Sequence, residues 1–438
     1  MLEYLEIENA GPADHLRLDL APRLNLLTGD NGLGKSFLLD VIWWALVQKW
    51  PSDVNPKLMT GHLILPKDRA KEASLAFKET SKDAVSKNFN RQNQNWTHPH
   101  DYINSIKQNH LTIYSQSDGS ISIFDRSRNH QKFRENTRST FMSALPDFSQ
   151  DVPYPYIFTP SEILSGAKFN DIQICNGLIQ DWSYWQREKD DNFTLLEKII
   201  DILMKDNLDV EKIGNLVRVY VDDVRDIPSV KTSYGQIPIT HASAGMRRIL
   251  CLAYLLVWTW QEHIRASQLR DLPIAREIVF LIDELDVHLH PKWQRTIVKS
   301  LMKVMEVLAP EVKVQIIAAT HSPLVMASVQ PFFDPEQDAW FDLDLNRETG
   351  QVEVTKRPWY ARGDADAWLK SEAFDLKSSD SPEAEAAIKK AGEAIEAPDF
   401  NKEKALEIDA ELRRYLAESD PFLKRWEYIA EKKGWLDE

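Results

Sequence analysis

The sequence predicts an α/β protein: a mixed sheet carrying a phosphate-binding loop, a β-containing insertion, and a helical C-terminal region. Three observations predict it. "LNLLTGDNGLGKS" passes from an apolar strand through a glycine loop into a helix starting at Lys35, the order of a phosphate-binding βα unit. "EIVFLIDE" (277–284) and "VQIIAATH" (314–321) are continuous Val- and Ile-rich runs, as expected of parallel strands covered on both faces. The stretch between them, "PKWQRTIVKSLMKVMEVL", reads as a helix, which suits a crossover between parallel strands.

Taken in order, "LEYLEIEN" and "HLRLDLA" alternate as half-buried strands. The helix after the glycine loop carries Phe37, Leu38, Val41, Ile42, Ala45 and Leu46 on an apolar stripe. Residues 51–150 are polar and read as an insertion with its own small sheet, including a hairpin, "LTIYSQSDGSISIFD", turning at Asp118-Gly119. Helices follow at "NGLIQDWSYWQ" and "FTLLEKIIDILM", then a strand at "LVRVYVDDV" (216–224) and a helix over about 245–265. After 335 comes a second hairpin, "AWFDLDLNRETGQVEVTKR", and from 364 a charged tail with Ala405, Ile408, Leu412, Tyr415 and Leu416 at helical spacing. The expected organisation is a nucleotide-binding lobe from 1–60 and 151–335, an insertion at 61–150, and a hairpin plus helical region at 336–438.

Composition narrows the function. The net charge of −14 argues against broad nonspecific binding of nucleic-acid phosphates, which needs many cations. One local basic stretch, "DRSRNHQKFREN" (125–136), keeps DNA as a candidate partner through Arg126, Arg128, Lys132 and Arg134, against the alternative of a solvated loop. Two cysteines, Cys175 and Cys251, exclude a disulfide scaffold or a cysteine-based zinc site. No apolar run reaches the roughly 20 residues of a membrane helix. The start "MLEYLEIENA" lacks a basic flank and an apolar core, so no signal peptide and a cytoplasmic location are expected.

Four motifs carry chemistry. "GDNGLGKS", Gly29 to Ser36, matches G-x-x-x-x-G-K-[ST] between a strand and a helix. Gly29, Gly32 and Gly34 let the backbone curl with its amide hydrogens inward; Asn31 lies in the same loop. Lys35 is expected to reach the terminal phosphates and Ser36 to place its hydroxyl on Mg²⁺. Asp283 and Glu284 end an apolar strand: Asp283 suits a magnesium-holding carboxylate acting through water, and Glu284 a base that polarises attacking water. In "HASAGMRR", Ser243 and Gly245 precede a helix, an anion site by geometry; an ordinary serine cap is the competing reading. In "AATHSP", His321 stands at a strand end, either as a sensor of the terminal phosphate or as a polar strand terminus.

With these motifs in this order, the chain resembles the ABC-type ATPases of the SMC/RecF/OLD kind. The resemblance covers about 1–60 and 150–330 and rests on Gly29–Ser36, Ala242–Gly245, Ile278–Glu284 and His321. The small-residue motif departs from the family's fullest pattern at Ala242, Ala244 and Met246, which leaves Ser243 and Gly245 as its phosphate contacts. The resemblance implies ATP and Mg²⁺ as cofactors and a dimer in which two heads sandwich two ATP molecules, Ser243 and Gly245 acting on the other protomer's site. It further implies that Leu285–Pro291, with His288 and His290, lies at that interface and links the two sites. Two histidines without further ligands are too few for zinc. Gln116 is a candidate for the family's Q-loop glutamine, and the adenine-contacting residue is not assigned.

The insertion lacks the sustained heptads of an SMC arm. Asp342-Leu-Asp344, in an alternating strand, reads as a solvated face rather than a Toprim metal site. The chain most resembles the stand-alone ATPases of bacterial anti-phage modules, of the Septu, retron-associated and PARIS kinds, on "DELDVHLHP", "ATHSPLVMAS" and "RGDADAWL…DPFLKRWEYI". That implies an ATP-dependent sensor or scaffold controlling a separately encoded nuclease of HNH or Toprim type. The alternative is a RecF-like ATPase acting on DNA ends.

Overall fold

The computed structural model describes residues 1–80, 82–97, 110–128, 155–169, 171–204, 210–374, 376, 378–397 and 400–436. They divide into two compact units, Met1–Ala365 and Asp366–Glu438.

In the first unit, Leu2–Ala10 (β1) and Ala13–Asp19 (β2) pair antiparallel with Leu5 opposite Leu18 and Ile7 opposite Leu16. These four residues are buried while His15 and Arg17 face out, the alternation of a one-sided sheet. Leu24–Gly29 (β3), buried at every position, leads through the glycine loop into Lys35–Val47 (α1). Ser74–Glu79 (β4), Val85–Asn90 (β5) and Asn95–Trp96 (β6) extend the first hairpin into a sheet ordered β2-β1-β4-β5-β6. The buried Trp96 fixes it to the rest of the unit: its indole donates to the Ile64 carbonyl and its ring lies 6.0 Å from that of Trp44 on α1.

His110–Ser115 (β7), Ile121–Asp125 (β8) and Tyr156–Phe158 (β9) follow. After a ribbon of Ala167–Phe169 (β10) and Ile172–Cys175 (β11) come Leu178–Glu188 (α2) and Asp191–Met204 (α3). Val210–Ile213 (β12), Ser229–Thr232 (β13) and Gly235–Pro238 (β14) form a small antiparallel sheet ahead of Ala244–Leu269 (α4). Glu277–Ile282 (β15), Pro291–Gln294 (α5), Ile297–Leu308 (α6), Lys313–Ala319 (β16), Pro323–Val329 (α7), Asp338–Asn346 (β17) and Gln351–Arg357 (β18) complete the unit.

The main sheet has eight strands in the order β18-β17-β3-β16-β15-β7-β8-β9. Its centre, β17 to β7, is parallel; the hairpin partners at both ends make it mixed, as predicted. Four expectations need correction. The hairpin at 110–125 does not belong to the insertion's own sheet: β7 is buried at every residue and pairs in parallel with β15. The hairpin at 338–357 likewise joins the main sheet beside β3, so the compact boundary falls at 365 rather than 335. Residues 216–224 form no strand. Only a single bridge, Val217 to Ile227, forms there, and Tyr220, Val221 and Val224 are exposed. The expected helix over 291–308 is interrupted at Arg295-Thr296, where the Thr296 amide bonds back three residues to Trp293.

The second unit contains Pro382–Glu396 (α8), Lys402–Tyr415 (α9) and Pro421–Lys432 (α10). Each begins at a side-chain cap, Ser381, Asn401 and Asp420 respectively. Ala405, Ile408, Leu412 and Leu416 are buried as the spacing predicts, whereas Tyr415 is partly exposed. Among the described residues, no helix is long and apolar enough to cross a membrane.

Candidate functional site at the sheet edge

Parallel pairing of β3, β16 and β15 brings three chain segments to one edge of the sheet, because Ala318 lies opposite both Leu26 and Ile282. Gly29, Asp283 and Thr320 therefore leave the sheet side by side, where open α/β sheets bind ligands. Gly29, Gly32 and Gly34 have φ of 130°, 81° and 101°. At Gly29 the need for glycine is doubled: a Cβ would stand 2.2 Å from the Leu343 carbonyl oxygen. Helix α1 starts without a side-chain cap, so its first amides are open to an anion.

Lys35 is buried and donates to the carbonyls of Gly29 (2.7 Å) and Asp30 (2.8 Å). Burial pushes its ammonium down to about 8, against the pull of Asp283, Asp30, Asp286 and Glu284. Asp283 is buried, which raises its carboxyl above the usual range, while a hydrogen bond with Ser36 lowers it. Its Oδ1 has no hydrogen-bond partner. A buried, half-satisfied carboxylate beside a hydroxyl is a donor set suited to a divalent cation with oxygen ligands, so the residues fit Mg²⁺. Glu284 follows at φ 47°, a left-handed conformation that is costly for a residue with a Cβ and is typical of functional turns. His321 is half-buried; burial and the nearby Lys35 hold its imidazole below the ordinary value, so it is neutral at pH 7.

A family model described as "AAA domain, putative AbiEii toxin, Type IV TA system" matches residues 24–327, from the strand before the glycine loop to the helix after His321. The chain belongs to this AAA-domain family. Septu protein PtuA of Bacillus thuringiensis is 24% identical over 333 residues, covering 74% of this chain and 72% of that protein. "Retron Vc95 probable ATPase" of Vibrio cholerae serotype O1 biovar El Tor is 28% identical over 122 residues, and "Retron Ec83 probable ATPase" of Escherichia coli is 26% identical over 168. These matches cover 26% and 38% of this chain but only 22% and 28% of the two retron proteins. The expected kinship with Septu-type and retron-associated ATPases agrees with these relatives. Among solved structures, an Smc head bound to the C-winged helix domain of ScpA superposes with a TM-score of 0.43 at 15% identity, over 81% of this chain and 97% of that one.

Around the glycine loop and the Asp283-Glu284 turn lie residues that sequence reasoning missed. Asp286 accepts from the Thr320 hydroxyl (2.6 Å) and from the His321 amide (3.0 Å), tying the turn after Glu284 to the strand end that carries His321. Gln294 donates to the carbonyls of Asp286 and Leu289 and accepts from the Ser322 hydroxyl. Arg248, in the first turns of α4, donates to the Asp283 carbonyl at 2.9 Å. An Asp two residues past the Asp-Glu pair was a readable signal; the glutamine and arginine gave none, since their roles exist only across the fold.

The small-residue motif divides. Ser243 is exposed and also caps α4, its hydroxyl accepting from the Met246 amide at 3.3 Å, so the ordinary cap reading is part of its role. Gly245 is buried, and a Cβ there would stand 2.2 Å from the His288 carbonyl oxygen of the same chain. His288 and His290 are exposed, and the His290 ring caps α5 by accepting from the Lys292 amide. Asn31 is exposed in the loop. Gln116 lies just past β7, next to the strand whose Ser115 carbonyl receives the Asp283 amide, and bonds to Thr60.

Asp342 is not a solvated residue, contrary to the sequence reading. It is 1% exposed, accepts from the Thr28 hydroxyl at 3.0 Å and pairs with Arg357 at 3.0 Å. Within the basic stretch, Arg128 is used internally: its guanidinium lies over Tyr156 and Trp258, at 4.7 and 4.4 Å. Lys132 and Arg134 fall outside the described residues.

Proposed function

We propose that this protein binds and hydrolyses ATP with Mg²⁺, dimerises around the nucleotide, and controls a separate nuclease subunit in anti-phage defence. The observation that carries the ATPase reading is the meeting of Lys35, Ser36, Asp283 and Glu284 at one sheet edge. In this reading the loop amides and Lys35 hold the phosphates, and Ser36 with Asp283, the latter through water, holds the cation. Bound Mg²⁺ neutralises charge on the phosphate oxygens. Glu284 accepts hydrogen bonding from the attacking water and takes its proton. Neutral His321 donates to the terminal phosphate. Ser243, exposed at the start of α4, contacts the phosphate held by the other protomer.

The defence setting is supported by the Septu and retron relatives, and control of a nuclease rests on the sequence resemblance alone. The partner is proposed to be an HNH or Toprim protein. Direct action on DNA ends, the alternative, leans on the basic stretch, from which Arg128 is withdrawn by its aromatic contacts.

Glu284→Gln tests the core of the proposal. Hydrolysis should fall about 10²–10⁴-fold, the usual contribution of a general base, while ATP binding persists. With ATP, the variant should run as a dimer by light scattering. An unchanged mass distribution with ATP bound would remove the dimer reading.

A further inference from the structure

Helix α4 does more in its own chain than present Ser243. Its first turns touch the segment that follows β15 at both ends. At the near end, Arg248 Nη2 donates to the Asp283 carbonyl at 2.9 Å. At the far end, Gly245 lies so close to the His288 carbonyl that a Cβ would approach it to 2.2 Å. The segment between is bent: Glu284 and His288 both have positive φ, 47° and 62°. Such a turn is costly and persists only where its surroundings fix it. Arg248 also has a buried Nη1 without a hydrogen-bond partner. It sits among the carboxylates of Glu284, Asp283, Asp286 and Asp118, while burial lowers its affinity for the proton.

We propose that the first turns of α4 clamp the Asp283–His288 turn of the same chain, with Arg248 as the positioning residue that aims Glu284 and Gly245 as the close-approach point. The proposal rests on the ATPase reading and deepens it. The element that meets the partner's nucleotide through Ser243 would then also set the geometry of its own chain's Glu284. Contact at one ATP site is thereby transmitted to the base of the other, without passing through the phosphate loop.

Cis and trans roles separate in mixtures of full-length variants. In a mixed dimer with Lys35→Ala, the Lys35→Ala protomer cannot complete its own site but supplies an intact α4 start to its partner. A variant defective only in trans is therefore rescued by Lys35→Ala, and one defective in cis is not. Arg248→Ala should lower kcat about tenfold or more, the scale of a lost charged hydrogen bond, with nucleotide affinity unchanged. Excess Lys35→Ala should not restore it. Gly245→Ala should behave the same way, which keeps the test alive if Arg248→Ala does not fold. Ser243→Arg, at the exposed position, should be rescued. Rescue of both Arg248→Ala and Gly245→Ala, or wild-type kcat in both, overturns the clamp. A readout independent of hydrolysis is amide hydrogen exchange: residues 283–288 should exchange faster in Arg248→Ala, and unchanged exchange also overturns the proposal. If the wild type fails to hydrolyse ATP, or Ser243→Arg is not rescued, the ATPase or the dimer reading fails, while the exchange result still judges the clamp.

Discussion

Asp40 lies on α1, one turn beyond Ser36, and its carboxylate accepts from the Tyr114 hydroxyl at 3.0 Å. Burial pushes its carboxyl up to about 7, with nearby Asp283 adding to the rise. An acid whose folded value exceeds its unfolded one binds protons more tightly when folded. Its contribution to stability is therefore full below about pH 4 and is lost as pH rises through about 7. Asp40→Asn keeps an oxygen for Tyr114 and removes the buried charge. Without nucleotide, the variant should be more stable than wild type at pH 8 by about 1–3 kcal/mol in urea unfolding. That margin should shrink at pH 5; a margin independent of pH would show that Asp40 is not the titrating group. The sequence announced Lys35, Ser36, Asp283 and Glu284 because their spacing and flanking strands form a local pattern. It gave no sign of Asp40, Arg248 or Gln294, because each acts on a segment that only the folded chain brings near.

At the scale of elements, the β17–β18 hairpin illustrates what alternation conceals. Alternating polarity suggested a hairpin with one solvated face, yet β17 inserts beside β3 and its first six residues are buried. Its polar residues are consumed internally. The Trp340 indole donates to Thr28 Oγ1 at 2.7 Å, that hydroxyl donates to Asp342 Oδ1, and Arg357 from β18 closes the chain on Oδ2. The same contact fixes the phosphate loop's first residue, since Leu343 pairs with Gly29. Asp342→Ala should therefore cost about 2–4 kcal/mol in equilibrium unfolding, by stranding both Arg357 and the Thr28 hydroxyl. Asp342→Asn, which keeps an acceptor, should cost less. Equal effects would mean that charge and hydrogen bond do not act together here. The parallel strands themselves were legible because burial on both faces leaves an uninterrupted apolar run. The β7–β8 hairpin was seen but misassigned, because pairing partners distant in sequence leave no mark in the pattern of one strand.

Across the whole molecule, the two units are built by different rules. The first needs residues 24–29, 110–115 and 277–346 together, since the parallel centre of its main sheet draws β3, β7, β15, β16 and β17 from all three stretches. The second, Asp366–Glu438, is local in sequence: three capped helices packed through Ala384, Ala387, Ala391, Ala394 and Ala405, small enough for close approach of the helix axes. Leu412, Leu423, Trp426 and Trp435 supply the larger part of its apolar bulk. The Trp426 indole is not left unpaired; it donates to Asp409 at 3.1 Å, and Asp409 in turn pairs with Arg413 at 2.8 Å. A unit with its own core, its own helix caps and a paired Trp426 indole should fold alone. Expressed by itself, 366–438 should give a helical circular-dichroism spectrum and one cooperative thermal transition that tryptophan fluorescence follows at the same midpoint. Trp426→Ala should remove about 3–5 kcal/mol, as loss of a buried indole does. That is most of what a domain of this size holds in reserve, so the variant should lose the transition altogether. Helical signal without cooperativity in the unsubstituted fragment would mean that the alanine-lined core is too thin to stand alone and that the tail depends on the rest of the chain.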